Sequence, residues 1–360
     1  MAGDVAAILI RGGEARLVKV MVIGVGNGGV NAVSQMARAG LEGVRLVAVD
    51  TDSQVLTSSQ AEQLLQIGGE LTGGRGTGGR PEIGQRAALE GRQGLGDLLE
   101  GIDMVFLTAG LGGGTGTGAG PVIAGLAKGA GILTIGIVTK PFSFEGHSRA
   151  ERAEKGLENL KKNVDALIVI PNDKLLEVAA GAPITQAFEL ADDVLRRGVQ
   201  GITDLVTLPG MINLNLSDVE NVLRGAGMVM IGIGEGKGER KAREALEQAV
   251  GSPLLERGSI QGATKAILNI TGGSDLSLRE ATEAASLVQR FTGVDTDITF
   301  GAVIKDELEG IVRITVIATG LRDEREEELP PRRPPREERA AEDLEIPAFI
   351  RRQRQEEEAD

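Results

Sequence analysis

The chain has 360 residues, 41% of them hydrophobic, enough to bury one or two substantial cores with segments to spare. It has no cysteine, one histidine (His147) and no run of about 18 apolar residues, which argues against a disulfide framework, a Cys/His metal site and a membrane-spanning helix. The net charge of −13 divides into −5 on residues 321–360, with 9 Arg against 14 Asp or Glu, and −8 on the rest; both parts repel a phosphate backbone, and 2% aromatic content, all Phe, offers nucleic acid no stacking platform.

Residues 1–18 read as an N-terminal extension. Their short apolar patch at 5–10 lacks a basic leader and a small-residue cleavage site, so a cytoplasmic protein is expected. What the chain has in excess is glycine, 53 residues gathered in clusters that mark loops. A β-branched run at 18–25, helical spacing at 31–39 and an apolar run at 45–49 predict a βαβ unit. Gly24, Gly26 and Gly29 stand at GxGxxG spacing after the first strand, and Asp50 follows 21 residues after Gly29. That matches a dinucleotide fingerprint. Its physical content is broader, because bare backbone and a helix N-terminus bind phosphate without naming the nucleotide. An NAD-dependent oxidoreductase, another nucleotide binder and a plain tight turn all remain open on these residues.

The second cluster, Gly73-Gly74-Arg75-Gly76-Thr77-Gly78-Gly79, precedes Pro81, which suits a first helical turn; alone it could be a flexible loop. The third, Gly112-Gly113-Gly114-Thr115-Gly116-Thr117-Gly118, separates a predicted strand at 104–108 from a helix-compatible run. A plain turn needs one or two glycines, not five in seven positions. Two hydroxyls interleaved with bare amides predict an anion nest for a polyphosphate. Further strands are expected at 132–138 and 166–170, each followed by a helix, so the fold class is α/β with a doubly wound parallel sheet.

A connecting helix at 186–201 then leads into a smaller α+β domain with strands at 228–233, 265–271, 299–304 and 311–319 and helices at 239–250 and 276–291. Ser217 to Glu220 has a capping-box pattern before a helix at 219–224, which makes Asp218, by itself, a favourable first-turn carboxylate. Beyond Gly320, four prolines at 330, 331, 334 and 335 among dense charges predict a disordered linker over 321–342. Apolar anchors return at Leu344, Ile346, Phe349 and Ile350, so 343–360 reads as a frayed tail or a docking peptide.

The GGGTGTG segment at 112–118, Pro141-Phe142-Ser143-Phe144-Glu145-Gly146-His147-Ser148-Arg149, Ile170-Pro171-Asn172-Asp173-Lys174 and Gly210-Met211-Ile212-Asn213-Leu214-Asn215-Leu216-Ser217-Asp218 together resemble the tubulin/FtsZ family of GTPases from residue 19 to 320. Oxidoreductases carry none of the later motifs. The resemblance implies a GTP-binding domain at 19–185, a connecting helix at 186–209 and a C-terminal domain at 210–320. It implies a GTP-hydrolysing protein that polymerises head to tail into a bacterial division ring at mid-cell, each active site completed by the neighbouring subunit. A nucleotide-binding scaffold that does not hydrolyse is the alternative.

Residue by residue, the resemblance implies that Gly26, Asn27, Gly28, Gly29 and Asn31 line the inner phosphates and base edge. Gly78, Gly79, Gly112, Gly113, Gly114, Thr115, Gly116 and Thr117 would hold the outer phosphates. Glu145 and Arg149 would touch ribose; alone they read as an i,i+4 surface pair. Asn172 and Asp192 would contact guanine, whose N1–H and N2–H₂ edge suits a carboxylate, with Phe188 packed on the base. Without the family, Phe188 reads as core and Asp192 as a solvated helix position. Asp218, assisted by Asn213 and Asn215, would polarise the attacking water at the next subunit's γ-phosphate.

Asn215 stands where many relatives have a second Asp, Arg80 where they have Asn, and Thr77 and Gly79 where they have Ala, so slow turnover and a more positive phosphate loop are expected. Mg²⁺ is implied through the phosphates, without a protein-only metal site. The segment Leu344, Glu345, Ile346, Pro347, Ala348, Phe349, Ile350, Arg351 is similar to the FtsZ C-terminal peptide, implying membrane-tethering division proteins as partners, with neither nucleic acid nor direct membrane insertion.

Overall fold

Seven parallel strands form the larger sheet: β1 (Val20–Val25), β2 (Val44–Asp50), β3 (Gln63–Gln66), β4 (Met104–Gly110), β5 (Leu133–Lys140), β6 (Ala166–Pro171) and β7 (Gly227–Met228), in the order β3-β2-β1-β4-β5-β6-β7. A computed structural model of the chain describes residues 18–178, 183–207, 210–212, 214–251 and 260–321. Strands β1, β4, β5 and β6 are apolar along nearly their whole length because helices cover both faces. Val20 and Val22 of β1 join a core with the helices Gly26–Arg38 and Ile184–Thr207; Met21, Ile23 and Val25 join the opposite core with Pro81–Glu90, Thr115–Gly129 and His147–Asn163. The winding direction reverses between β1 and β4, so a crevice opens at the carboxyl ends of those strands.

Four strands form the second sheet, β8 (Met230–Lys237), β9 (Lys265–Gly272), β10 (Asp297–Ile304) and β11 (Ile311–Thr319), ordered β10-β9-β11-β8. Strand β10 runs parallel to β9, whereas β11 is antiparallel to β9 and β8. The helices Lys241–Val250 and Leu278–Thr292 share a core with one face of this sheet. Ile267 and Ile317 of its other face share a core with the central helix Ile184–Thr207.

Several elements differ from the sequence reading. Strands β3 and β7 were not expected, being four and two residues long and specified by their pairing with β2 and β6. Strand β8 continues to Lys237 rather than 233 because Gly232, Gly234 and Gly236 lie flat against the helix Lys241–Val250, where a Cβ would overlap the carbonyls of Ala249, Ala245 and Lys241. The central helix runs past Gly201, whose missing Cβ would sit 2.9 Å from Thr315 Cγ2, so this glycine admits the second sheet instead of ending the helix. Among the described residues, no helix is long and apolar enough to cross a membrane.

Candidate functional site

Two long helices begin at the crevice without caps. The helix Gly26–Arg38 starts directly off β1, earlier than the expected 31, and the helix Thr115–Gly129 starts off the loop after β4; neither has a side-chain cap or an acidic residue in its first turn. Each therefore presents orphan N–H groups and the positive end of its dipole. A Cβ on Gly26 would lie 2.7 Å from the Gly116 nitrogen, and one on Gly28 would lie 3.2 Å from the Gly110 nitrogen, so the two N-termini meet. Two converging N-termini are an anion site. Gly26 and Gly29 are buried beneath it, while Asn27, Gly28 and Asn31 are exposed on the first turn.

The second glycine loop closes on the third. A Cβ on Gly114 would reach the Arg80 nitrogen at 2.8 Å, and one on Gly112, held at φ +94, would reach the Arg149 carbonyl at 2.6 Å. Gly78 and Gly113 have nothing within 4 Å of a Cβ position, so packing does not account for these two glycines and open space borders them. The hydroxyls expected to face the polyphosphate also make contacts within the protein. Thr117 Oγ1 accepts from Gly112 N at 2.9 Å, and Thr115 Oγ1 pairs with Thr51 Oγ1 at 2.8 Å; both residues are buried. These contacts shape the nest, and Thr117 keeps its O–H donor because its Oγ1 only accepts from Gly112.

Asp50 is 3% exposed and accepts from Thr51 N at 2.6 Å and Asp52 N at 3.1 Å. Burial raises its pKa, with the loop amides opposing. The carboxylate that a dinucleotide fingerprint would aim at a ribose is thus turned inward, and the oxidoreductase reading loses its acid.

Glu145 pairs with Arg149 at 3.1 Å and accepts from Phe142 N at 2.8 Å; its side chain is 11% exposed. Asn172 opens a short helix at the carboxyl end of β6 and is buried, with Oδ1 lacking any hydrogen-bond partner. Such an orphan is uncommon in a native interior and fits a missing donor. Asp192 is only partly exposed, and burial pushes its carboxyl up to about 7, opposed by Arg38 and assisted by Glu189. Phe188 is 42% exposed and stands edge-on to Phe142 at 5.2 Å, which stacks on Phe144 at 5.0 Å. Phe188 is therefore no core residue and Asp192 no solvated one. An acceptor-rich edge beside an open aromatic face has the chemistry of a guanine pocket.

Asp218 lies elsewhere. The cap of the helix Leu216–Leu223 is Asn215 rather than Ser217: Asn215 Oδ1 accepts from Asp218 N at 2.9 Å, and Asp218 Oδ2 accepts from Asn215 N at 3.0 Å. Asn215 is exposed and Asn213 falls outside the described residues. After the helix, Arg224 donates to Gly131 O at 3.4 Å, just before β5, whereas the third glycine loop joins the other end of β5 through Leu111 N to Thr139 O at 2.9 Å. From Leu133 to Thr139 the strand advances about 20 Å at ~3.3 Å per residue. The six residues from Asp218 to Arg224 span only about 9 Å of helix. Asp218 and the glycine loops of one chain therefore belong to opposite ends of β5.

Thr51 and Arg152 were missed in the sequence. Arg152 had a signal, since it stands three residues after Arg149 on one helix; Thr51 had none. No group of three or more His, Asp or Glu suited to a metal ion occurs among the described residues. Leu344, Ile346, Pro347, Phe349, Ile350 and Arg351 lie outside the described residues.

Residues 19–180 match the family model described as the GTPase domain of the Tubulin/FtsZ family, and residues 227–322 match the FtsZ family C-terminal domain. Among solved structures, the chain is similar to an empty FtsZ dimer from M. jannaschii, at 42% identity over 85% of this chain and 89% of that one, with a TM-score of 0.80. It shares its fold with CetZ2 of Haloferax volcanii in a GTPγS-bound protofilament, at 24% identity over 86% of this chain and 96% of that one, with a TM-score of 0.73. The same fold occurs in a GDP-bound CetZ1 monomer from Haloferax volcanii, at 22% identity over 85% and 95% of the two chains, with a TM-score of 0.75. With both domain models matched in order and the long FtsZ alignment spanning them, the chain belongs to the FtsZ branch of the tubulin/FtsZ GTPase family.

Proposed function

We propose that this chain binds GTP in the crevice between β1 and β4, hydrolyses it at the junction with a second copy, and assembles head to tail into the filaments of a cytoplasmic division ring at mid-cell. The observation that carries the nucleotide reading is the meeting of two uncapped helix N-termini, roofed by a glycine loop with open space at Gly78 and Gly113. The working domain division is 19–185 for nucleotide, 186–209 for the connecting helix and 210–320 for the domain that carries the catalytic acid.

In this mechanism the amides of Gly28, Gly29 and residues 112–117 receive the phosphates, with Gly26 and Gly79 letting the backbone come close. Asn172 Oδ1 and the Asp192 carboxylate accept from the guanine edge, Phe188 covers the base, and Glu145 with Arg149 borders the ribose. Magnesium, held on the phosphate oxygens, would neutralise the charge that develops as the γ-phosphoryl transfers. Asp218 of the neighbouring copy orients the attacking water, with Asn213 and Asn215 beside it. Support for this division of labour is that a single chain keeps Asp218 and its own glycine loops at opposite ends of β5. A contact joining unlike ends is heterologous and need not close, which produces filaments.

Phosphate release measured against protein concentration tests the reading. The rate per subunit should climb with concentration on GTP and stay at background on ATP. A specific rate independent of concentration removes shared catalysis, and equal rates with ATP remove the guanine pocket. Residues 343–360 are proposed as the docking peptide for membrane-tethering division proteins; deleting them should spare turnover and abolish recruitment to vesicles coated with such a partner, and unchanged recruitment would refute the role.

A further inference from the structure

Arg152 belongs to the helix His147–Asn163, and its side chain turns back to the crevice rather than out to solvent. Nε donates to the Gly112 carbonyl at 3.0 Å, and a Cβ placed on Gly79 would lie 4.0 Å from Nη1. The guanidinium thus bridges the second and third glycine loops. Other cations around it are committed to carboxylates: Arg149 to Glu145 at 3.1 Å, His147 to Glu151 at 3.3 Å when protonated, and Lys140 to Glu154 at 3.1 Å. Arg152 has no such partner among the described residues. Its Nε is occupied and its two Nη groups keep four donors, next to the open space at Gly78 and Gly113. In a chain of net charge −13, a half-buried cation without an acid beside it, at the mouth of an anion nest, points to an anionic ligand.

We propose that Arg152 reads the terminal phosphate of the bound nucleotide and so sets the preference for triphosphate over diphosphate. The inference rests on the GTP reading above and deepens it. A planar fork matches two phosphate oxygens at once, which a single ammonium cannot do. Loss of the γ-phosphate leaves the fork with Gly112 O alone, so Arg152 discriminates between the two nucleotides by the group that hydrolysis removes. Its hydrogen bond to Gly112 also holds the third loop to the helix, which is a tethering role that would treat both nucleotides alike.

The test compares GTPγS and GDP affinities of the full chain by competition, with the melting midpoint of the empty protein recorded beside them. Arg152→Met keeps the apolar stem and should weaken GTPγS about tenfold or more while changing GDP less than about twofold. Arg152→Lys keeps the charge without the fork and should recover part of the loss; it carries the same comparison if the Met variant melts early. Equal weakening of both nucleotides, or none, overturns the proposal and leaves a loop tether. If the unaltered chain binds GTPγS no better than ATPγS, the GTP reading itself fails and the proposal falls with it, an outcome visible before any variant is made.

Discussion

Asp218→Ala should bind GTP with unchanged affinity and lose roughly 10²–10⁴ in turnover, the usual contribution of a positioned general base. Affinity is spared because the residue sits toward the end of β5 opposite the chain's own glycine loops. The competing account makes Asp218 only the second half of the capping box with Asn215, a contact the structure contains. On that account the substitution costs about 1 kcal/mol of stability, a modest part of the ~5–15 kcal/mol typical of a domain, and leaves turnover alone. Mixing separates the two accounts more sharply than either single variant. An Asp218→Ala chain has an intact nucleotide site, and an Asp192→Ala chain has an intact Asp218. Combined, they should regain activity at mixed junctions that neither makes alone. A mixture no better than the average of its parts would sink the shared site.

Guanine nucleotide affinity should fall about tenfold per pH unit below pH 7, because burial raises the Asp192 carboxyl to about 7 and the protonated acid loses its capacity to accept from both guanine N–H groups. Titrating GDP between pH 8 and pH 5 by calorimetry measures this, and Asp192→Asn should flatten the profile at a uniformly lower affinity. The empty protein should show the opposite sign on account of this group. With a folded pKa near 7 against 3.8 for a free aspartate carboxyl, the folded chain binds the proton through that window while the unfolded chain does not. Its stability contribution therefore grows as the pH falls from about 7 toward 4 and is lost as the pH rises again. Acidification that weakens nucleotide binding while raising the melting midpoint of the empty chain is a signature that general acid damage does not imitate. A flat affinity profile down to pH 5 would remove Asp192 from the base pocket.

The places where sequence and structure diverge share a cause. The continuous apolar runs of β1, β4, β5 and β6 are legible because a parallel strand covered on both faces needs no alternation, and the glycine clusters are legible because bare backbone is rare without a reason. The motif order was sufficient for the family. The short strands β3 and β7 were not legible, since four and two residues carry no period and owe their state to a neighbouring strand. Gly201 reads as a helix stop in one dimension and is a contact with Thr315 in three.

The same division holds inside the site. The chain's own residues determined by themselves a set of loops suited to an anion, through chemistry that is local: amides, glycines and two helix starts. Tertiary structure alone decided how each side chain is used. It turned Asp50 inward, bound the Thr115 and Thr117 hydroxyls within the nest, left Asn172 Oδ1 buried without a donor, desolvated Asp192 and brought Arg152 to the glycine loops. It also set Asp218 toward the far end of β5 from the glycine loops. Spacing along a chain reports backbone geometry over a few residues, whereas desolvation, ion pairing and hydrogen-bond satisfaction depend on groups tens of residues away that only folding brings into reach.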